Sequence, residues 1–423
     1  VRPYYRKNTM EMTPSWMVTY DPNQREYEFE SYGVNSKYHK RFESGDVIVG
    51  LDTDYTPSSY QQHGVSVLGA DDAPCYERKK GYVSACQKTV KGDEQYNYTA
   101  NQTSVSPYVH AEYVFANNTK VDAGLRYDHF SVDYTDRMDS NVPETIGRST
   151  HLRPASQTLH YEKVSPKLGV THRLNDKHAL FASHKHSFRA PSIGRLFTSG
   201  STPNTDALKP VKAVSNEVGV RGVLGKKSTY DLSVYHMQVK DDIVNIVKDG
   251  DRQITNAGKT EHAGVELSLG HAVSDDVSMT VATSYRKQRY DDFSGTFFNS
   301  NTFKQEQVDF SGNDLPRAPK LISNVSVTYE PTQLPGATFE LEWQGLSSYF
   351  SDEQNTQTYD GHRLLNLRAH YDVDKHTRVY GRVTNVTDES YSNYSSKSVG
   401  GGDMSHNPGA PRSVYVGIKK EWK

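Results

Sequence analysis

Apolar and polar residues alternate along this chain with a period of two, and the alternating segments are joined in turn by short and by long connections. From Val121 onward, Val121, Ala123, Leu125 and Tyr127 share one face while Asp122, Gly124, Arg126 and Asp128 share the other, which is the side-chain geometry of a strand. Val277, Met279, Val281 and Tyr285 alternate in the same way with Ser278, Thr280, Ala282, Ser284 and Arg286. So do Ala337, Phe339, Leu341 and Trp343 with Thr338, Glu340, Glu342 and Gln344, and Leu365, Leu367, Ala369 and Tyr371 with Asn366, Arg368, His370 and Asp372. Tight polar turns of the hairpin kind stand at Glu43–Asp46, Asn117–Lys120, Asn175–Lys177, Gly225–Ser228, Ser274–Asp276 and Asp372–His376. Between them run long connections rich in Ser, Asn, Asp, Gly and Thr, over 58–103, 135–157, 190–210, 242–258, 291–316, 349–360 and 388–410.

Alternation alone also suits a soluble sandwich, so the connections decide. Compact domains rarely carry so many loops beyond about 12–15 residues. Barrels of the outer membrane do, with short turns at one end and long loops at the other. No stretch approaches the ~20 apolar residues of a membrane-spanning helix, and the mean hydropathy of −0.77 does not argue against a barrel whose strands show lipid only every second residue. The 29 Tyr, 14 Phe and 30 Gly also suit strands better than helices. The expected fold is an all-β transmembrane antiparallel β-barrel with about sixteen strands present, the last running down near 411–422 to the short-turn end. Strand segments of about 11–15 residues exceed the ~9–11 that cross a tilted barrel wall. Tyr4, Tyr5, Tyr38, Phe42, Tyr55, Tyr134, Tyr161, Tyr285, Tyr349 and Tyr371 fall at strand ends or flanks, where aromatic girdles form.

With 49 basic against 51 acidic residues, the chain has no general attraction for nucleic acid. Cys75 and Cys86 are the two cysteines, close together in a polar stretch. They read as a disulfide pinning an exposed loop, which implies an oxidising compartment, or as two unrelated thiols. The chain opens at Val1 without an initiator Met or an apolar leader, which reads as a fragment whose N-terminal part is missing.

Three ordered motifs in the second half resemble the TonB-dependent receptors. The first is Ser187-Phe-Arg-Ala-Pro191, followed by Asn204-Thr-Asp-Ala-Leu-Lys-Pro210 and Asn216-Glu-Val-Gly219; Thr205 and Val211 stand where that family usually has Pro and Glu. The second is Asn256-Ala-Gly258 with Gly264-Val-Glu266, and the third is Asn385-Val-Thr-Asp-Glu-Ser-Tyr391, ahead of a last strand that opens on Pro411-Arg412 and nears its end at Trp422. Lys423 after that aromatic is a departure. The resemblance covers residues 158–423 clearly and the front part more loosely. It implies that residues 1–423 are part of a 22-stranded receptor barrel, lacking the plug and the first strands. It also implies a bacterial outer-membrane location in a Gram-negative cell, a monomeric barrel set in lipid, and import of a ferric siderophore or similar iron complex. That import is energised by TonB through the missing plug segment. A haem or cobalamin receptor and a passive porin-type channel are the alternatives, and a surface enzyme is the competing class. No cofactor is expected, and the chain shows no catalytic signature.

The family-motif residues Phe188, Arg189, Ala190, Pro191, Glu217, Gly219, Asn256, Gly264, Glu266 and Asn385 read as structural. Pro191 has no N–H for a ladder and ends a strand, and Arg189 is expected to pair with Glu217 across strand ends or to face the plug. Trp16, Tyr20, Tyr60, Tyr76, Arg78, Tyr290, Phe293, Phe297 and Phe298 lie in or beside long connections, where ring stacking and charge suit contact with an iron chelate. His184 and His186 share one face, which invites a metal or haem reading. No His lies between Pro191 and Pro210, where haem importers of this family usually carry one.

Overall fold

A computed structural model of the protein describes residues 1–12, 22–77, 81–139, 145–146, 149–150, 153–197, 207–248, 251–256, 258–299, 302–397 and 403–422. Sixteen strand passes form one antiparallel meander: β1 (Arg2–Met12), β2 (Asn23–Phe42), β3 (Gly45–Thr56), β4 (Lys88–Val114), β5 (Thr119–Asp136), β6 (Gln157–Asn175), β7 (His178–Arg189) and β8 (Val211–Leu224), then β9 (Ser228–Lys240), β10 (Lys259–Ala272), β11 (Val277–Asp292), β12 (Leu321–Tyr329), β13 (Ala337–Leu346), β14 (His362–Asp374), β15 (Thr377–Thr384) and β16 (Ser413–Lys420). Each pairs with the next along the chain. A seventeenth strand, Ser58–Leu68, continues the line of β3 past Pro57 and lies between β2 and β4. Among the described residues β1 pairs only with β2 and β16 only with β15, so the meander has two edges.

The wall is turned inside out relative to a water-soluble fold. Across β7 to β12, Ala182, Val218, Val234, Val265, Tyr285 and Leu321 stand opposite one another in one row. From β11 to β16 a second row runs Met279, Val327, Leu341, Leu367, Val383 and Val414. Val218, Val234, Tyr285, Leu341 and Leu367 are exposed, whereas the opposite face carries Glu217, Ser233, Glu266, Asn324, Glu342 and Arg368. On that inner face Glu342 accepts from Asn324 Nδ2 at 2.8 Å, Asn366 Nδ2 at 3.1 Å and an Arg368 Nη at 2.6 Å. A polar face in which carboxylates and amides satisfy one another, backed by an exposed apolar face, fits a wall with lipid outside and water inside.

Along β3 to β6 this polarity reverses partway up. On β4, Val105, Val109 and Tyr113 point outward at 38%, 42% and 51% exposure, while Tyr96, Tyr98 and Ala100, of the opposite parity, are buried inside at 3%, 6% and 0%. The same switch separates Leu125 and Tyr127 from Val132 and Tyr134 on β5, and Val164 and Leu168 from Tyr161 on β6. It also separates Val49, Leu51 and Tyr55 on β3 from Tyr60 on its continuation. Apolar groups follow whichever side lacks water, so the switch marks the level at which the wall leaves lipid and enters solvent.

This explains two departures from the sequence expectations. The stretch 58–103 is largely strand rather than connection: β4 has 27 residues and, with Ser58–Leu68, extends the wall far beyond the span of a bilayer. Its polar composition reads as loop because outward residues above the lipid need no apolar character. Of the aromatic girdle set, Tyr5, Tyr38, Phe42, Tyr55, Tyr285 and Tyr371 are exposed, but Tyr134, Tyr161 and Tyr349 are buried. Tyr4 points inward and donates to Asp54 Oδ2 at 2.5 Å.

Inward glycines let aromatic rings lie flat on the wall. Gly219 stands opposite Phe181, and Gly264 opposite Tyr235. A Cβ on Gly219 would come 2.7 Å from a Phe181 ring carbon and 2.6 Å from the Leu232 carbonyl, and one on Gly264 would come 2.8 Å from both the Tyr235 ring and the Tyr285 carbonyl. Tyr4 covers Gly33, Tyr108 covers Gly50 and Tyr380 covers Gly417 in the same cross-strand manner. The two motif glycines are thus required by close approach.

Candidate ligand cleft at the long-loop end

Pro191 closes β7, and the chain turns inward through the one-turn helix α1 (Ile193–Leu196). Leu196, Phe197 and Leu208 are buried against the inner face of β4, β5, β6 and the continuation of β3, in a cluster with Tyr60, Tyr96, Tyr98, Val132, Tyr134 and Tyr161. The Phe197 and Tyr134 rings stack with centroids 4.0 Å apart and planes 16° from parallel, and Tyr161 donates its hydroxyl to the Leu208 carbonyl at 3.2 Å. Asn256 holds the far end of this connection: its Nδ2 donates to the Lys209 and Asp241 carbonyls at 2.8 Å each, and its Oδ1 accepts from the Lys209 N–H at 2.6 Å. Both described ends of this connection, residues 193–197 and 208–209, therefore pack on the inner wall.

Between α1 and the inner face of β1 to β4 lies a cleft of about 660 Å³, lined among others by Arg6, Arg25, Tyr27, Tyr60, Tyr98 and Phe197. Its ring wall is continuous: Tyr27 to Tyr60 is 4.6 Å between centroids, Tyr60 to Tyr98 5.0 Å, and Tyr98 to Phe197 6.3 Å. The volume falls within the range of small-molecule sites. An apolar aromatic wall with a few polar groups is suited to holding a ring-bearing ligand at the mouth of a wide polar lumen.

Of the sequence candidates among the described residues, Tyr60 alone lines this cleft. Tyr290, Phe293 and Phe297 pack together with Phe310 beside β11, with Phe293 to Phe310 at 5.3 Å and both buried. They form the small core beneath the hairpin of Ser294–Asn299 and Lys304–Asp309. Tyr76 packs edge-on against Tyr82 at 5.3 Å inside the loop closed by the Cys75–Cys86 disulfide. Trp16, Tyr20 and Arg78, and the Phe298 side chain, lie outside the described residues. Tyr27, Tyr98, Arg6 and Arg25 were not singled out by sequence; only Tyr98 has a signal there, the short run Tyr96-x-Tyr98-x-Ala100, a period-two apolar face inside a stretch otherwise read as connection.

The motif residues lie on the wall strands and on the connections beside them. Arg189 pairs with Asp242 at 3.5 Å rather than with Glu217, which stands six residues further down β7 in register, opposite Ser183; that separation is roughly 20 Å at strand rise. Phe188 and Arg189 close the β7 ladder against Lys212 and Val211, with Ala190 between them and Pro191. Asn385, at φ 52°, donates Nδ2 to the Glu389 carbonyl at 2.9 Å and accepts from the Glu389 N–H at 2.8 Å, while its own N–H donates to Asn366 Oδ1 at 2.9 Å. It ties the start of the last long connection to the inner wall. His184 and His186 lie on the outer face, with their Nε2 atoms 3.0 Å apart, and no group of three or more metal-ligating side chains occurs among the described residues.

The family described as TonB dependent receptor-like, beta-barrel matches residues 2–386. The chain belongs to that family. It is 19% identical over 304 residues to the probable TonB-dependent siderophore receptor PiuA of Acinetobacter baumannii, covering 70% of this chain and 38% of that protein. It is 23% identical over 275 residues to the ferrioxamine B receptor of Salmonella typhimurium, covering 63% and 34%. The chain thus spans little more than a third of the length of these curated relatives. In fold it resembles the ferric citrate transporter FecA in its unliganded form, with a TM-score of 0.70 and 18% identity, covering 99% of this chain and 58% of that one. The copper transporter OprC is similar at a TM-score of 0.70 and 17% identity, covering 99% and 61%.

Proposed function

We propose that this chain is the larger part of the barrel of an outer-membrane receptor that imports a ferric siderophore or a similar scarce iron complex, energised by TonB acting through a plug. The observation that carries the reading is the wall itself: apolar outside, polar inside, with the long connections at one end and α1, Phe197 and Leu208 packed on the inner face beside a small-molecule-sized cleft. Relatives named for siderophore, ferrioxamine B and ferric citrate support an iron complex as the cargo. On this reading residues 1–423 are one barrel domain, and its two edges on β1 and β16 are closed by further strands, about six for a 22-stranded wall. The barrel works as a monomer in outer-membrane lipid, with neither cofactor nor nucleic acid.

The test is growth and iron uptake on single sources after deletion of the gene. Loss of uptake of one iron–siderophore complex is expected. Loss confined to haem or cobalamin would move the substrate to those alternatives, and unchanged uptake of every complex supplied would sink the import reading.

A further inference from the structure

We infer that the cleft beside α1 takes an anionic, aromatic iron chelate, of the kind that catechol groups form around ferric iron, in preference to an uncharged one; this rests on the import reading above. Two arginines reach the cleft with their charge incompletely answered. Arg25 donates Nε to Asn23 Oδ1 at 2.8 Å and makes no ion pair among the described residues. Arg6 has one carboxylate near it, Asp54 at 3.9 Å, and Asp54 already accepts from the Tyr4 hydroxyl at 2.5 Å and the Thr56 hydroxyl at 2.6 Å. The remaining acid at the cleft, Glu28, is taken by Lys7 Nζ at 2.6 Å.

Beside these guanidiniums stands the ring wall of Tyr27, Tyr60 and Tyr98. The Tyr60 hydroxyl is turned away from the cleft chemistry, donating to Gln62 Oε1 at 2.5 Å, so Tyr60 offers the cleft mainly ring surface. Guanidinium groups pair with deprotonated phenolic oxygens and stack on ring faces, and tyrosine rings stack on ligand rings. A ferric tris-catecholate supplies both the negative charge and the rings. A ferric tris-hydroxamate of simple alkyl acids is uncharged and ringless, so it would meet the arginines with nothing to offset their desolvation.

The experiment uses the whole receptor purified in detergent and follows its intrinsic fluorescence during titration with ferric tris-catecholate or with ferric tris-acetohydroxamate. The catecholate is expected to bind about tenfold tighter or better, the scale of one or two charge-assisted hydrogen bonds, and its affinity is expected to fall as salt rises. Arg25→Ala and Arg6→Ala should each weaken catecholate binding about tenfold and leave the hydroxamate unchanged, with partial recovery in Arg25→Lys. Equal or tighter hydroxamate binding by the wild type overturns the inference, and that comparison stands even where a variant fails to fold. Catecholate binding that survives both alanine substitutions also overturns it. Uptake by cells separates the two readings: binding without uptake of either complex fails the import reading alone, and uptake of the hydroxamate alone fails this inference alone.

Discussion

The lower and upper halves of β4 are one continuous strand that obeys opposite rules. Below, outward Val105, Val109 and Tyr113 are apolar and exposed; above, the outward positions are polar and the inward Tyr96, Tyr98 and Ala100 form a buried core. Alternation is preserved and its sense is inverted. The backbone does not decide which face is apolar; the solvent on each side does. In the lower half the dry side is lipid, and in the upper half it is the interior that α1, Phe197 and Leu208 cover.

The largest effect that would break this comparison is expected at Tyr134, whose ring stacks on Phe197. Tyr134→Ala should cost on the order of 3 kcal/mol of packing, released locally. Protease cleavage within 190–210 should accelerate while the wall stays folded, and unchanged cleavage would mean that the cluster does not hold the connection. Next comes Leu125→Arg on the outward lower face, expected to destabilise the barrel by about 2–4 kcal/mol in a bilayer. Ser131→Arg, outward on the same strand but above the switch, should cost little. Equal costs by denaturant titration would erase the boundary.

Much of the lower half was legible from period two alone, because Leu125 and Tyr127, or Leu341 and Trp343, alternate without interruption. The upper half was not. Tyr134 and Tyr161 look in sequence like girdle residues, and only the pairing of β5 with β6, together with the arrival of Phe197 and Leu208 from a distant connection, turns them into core. Tyr60 stood out as a loop aromatic and Tyr98 lies in a short period-two run, whereas Arg6, Arg25 and Tyr27 became visible only once the strands were laid side by side. Gly219 meets the Phe181 ring, and Asn256 and Asn385 bond to backbone carbonyls of the connections beside them, but such partners were beyond the reach of sequence: Arg189 meets Asp242, not Glu217.

A smaller effect is expected at Gly219. Gly219→Val forces its Cβ into the Phe181 ring and the Leu232 carbonyl, an overpacking cost of about 1–3 kcal/mol. Unfolding in denaturant should detect it, and Phe181→Ala should relieve part of it; no relief would detach the glycine from the ring it accommodates.

The smallest effect concerns the loop end. Burial raises the Glu353 carboxyl above the ordinary carboxylate range, against the attraction of Arg317. This connection is docked on its neighbour through Asn355, which accepts from the Asp314 N–H at 2.8 Å, and through Asn313 Nδ2, which donates to the Glu353 carbonyl at 2.9 Å. A raised carboxyl binds its proton more tightly in the docked state, so docking is strongest below the ordinary carboxylate pKa and weakens as pH climbs through the raised value. Hydrogen exchange at Asn313 and Arg317 should speed up across that interval. Glu353→Gln should flatten the response, and an unaltered pH profile in that variant would assign it to another group.

The most direct test of the reversal is a cysteine scan along β5 in the receptor reconstituted in lipid, with a spin label at each outward position and accessibility to oxygen and to a water-soluble nickel chelate read at each. The account predicts lipid-type accessibility at Ala123, Leu125 and Tyr127 and water-type accessibility at His129, Ser131 and Asp133, with the change falling between Tyr127 and His129. Lipid-type signals continuing to Asp133, or water-type signals at Leu125, would contradict it.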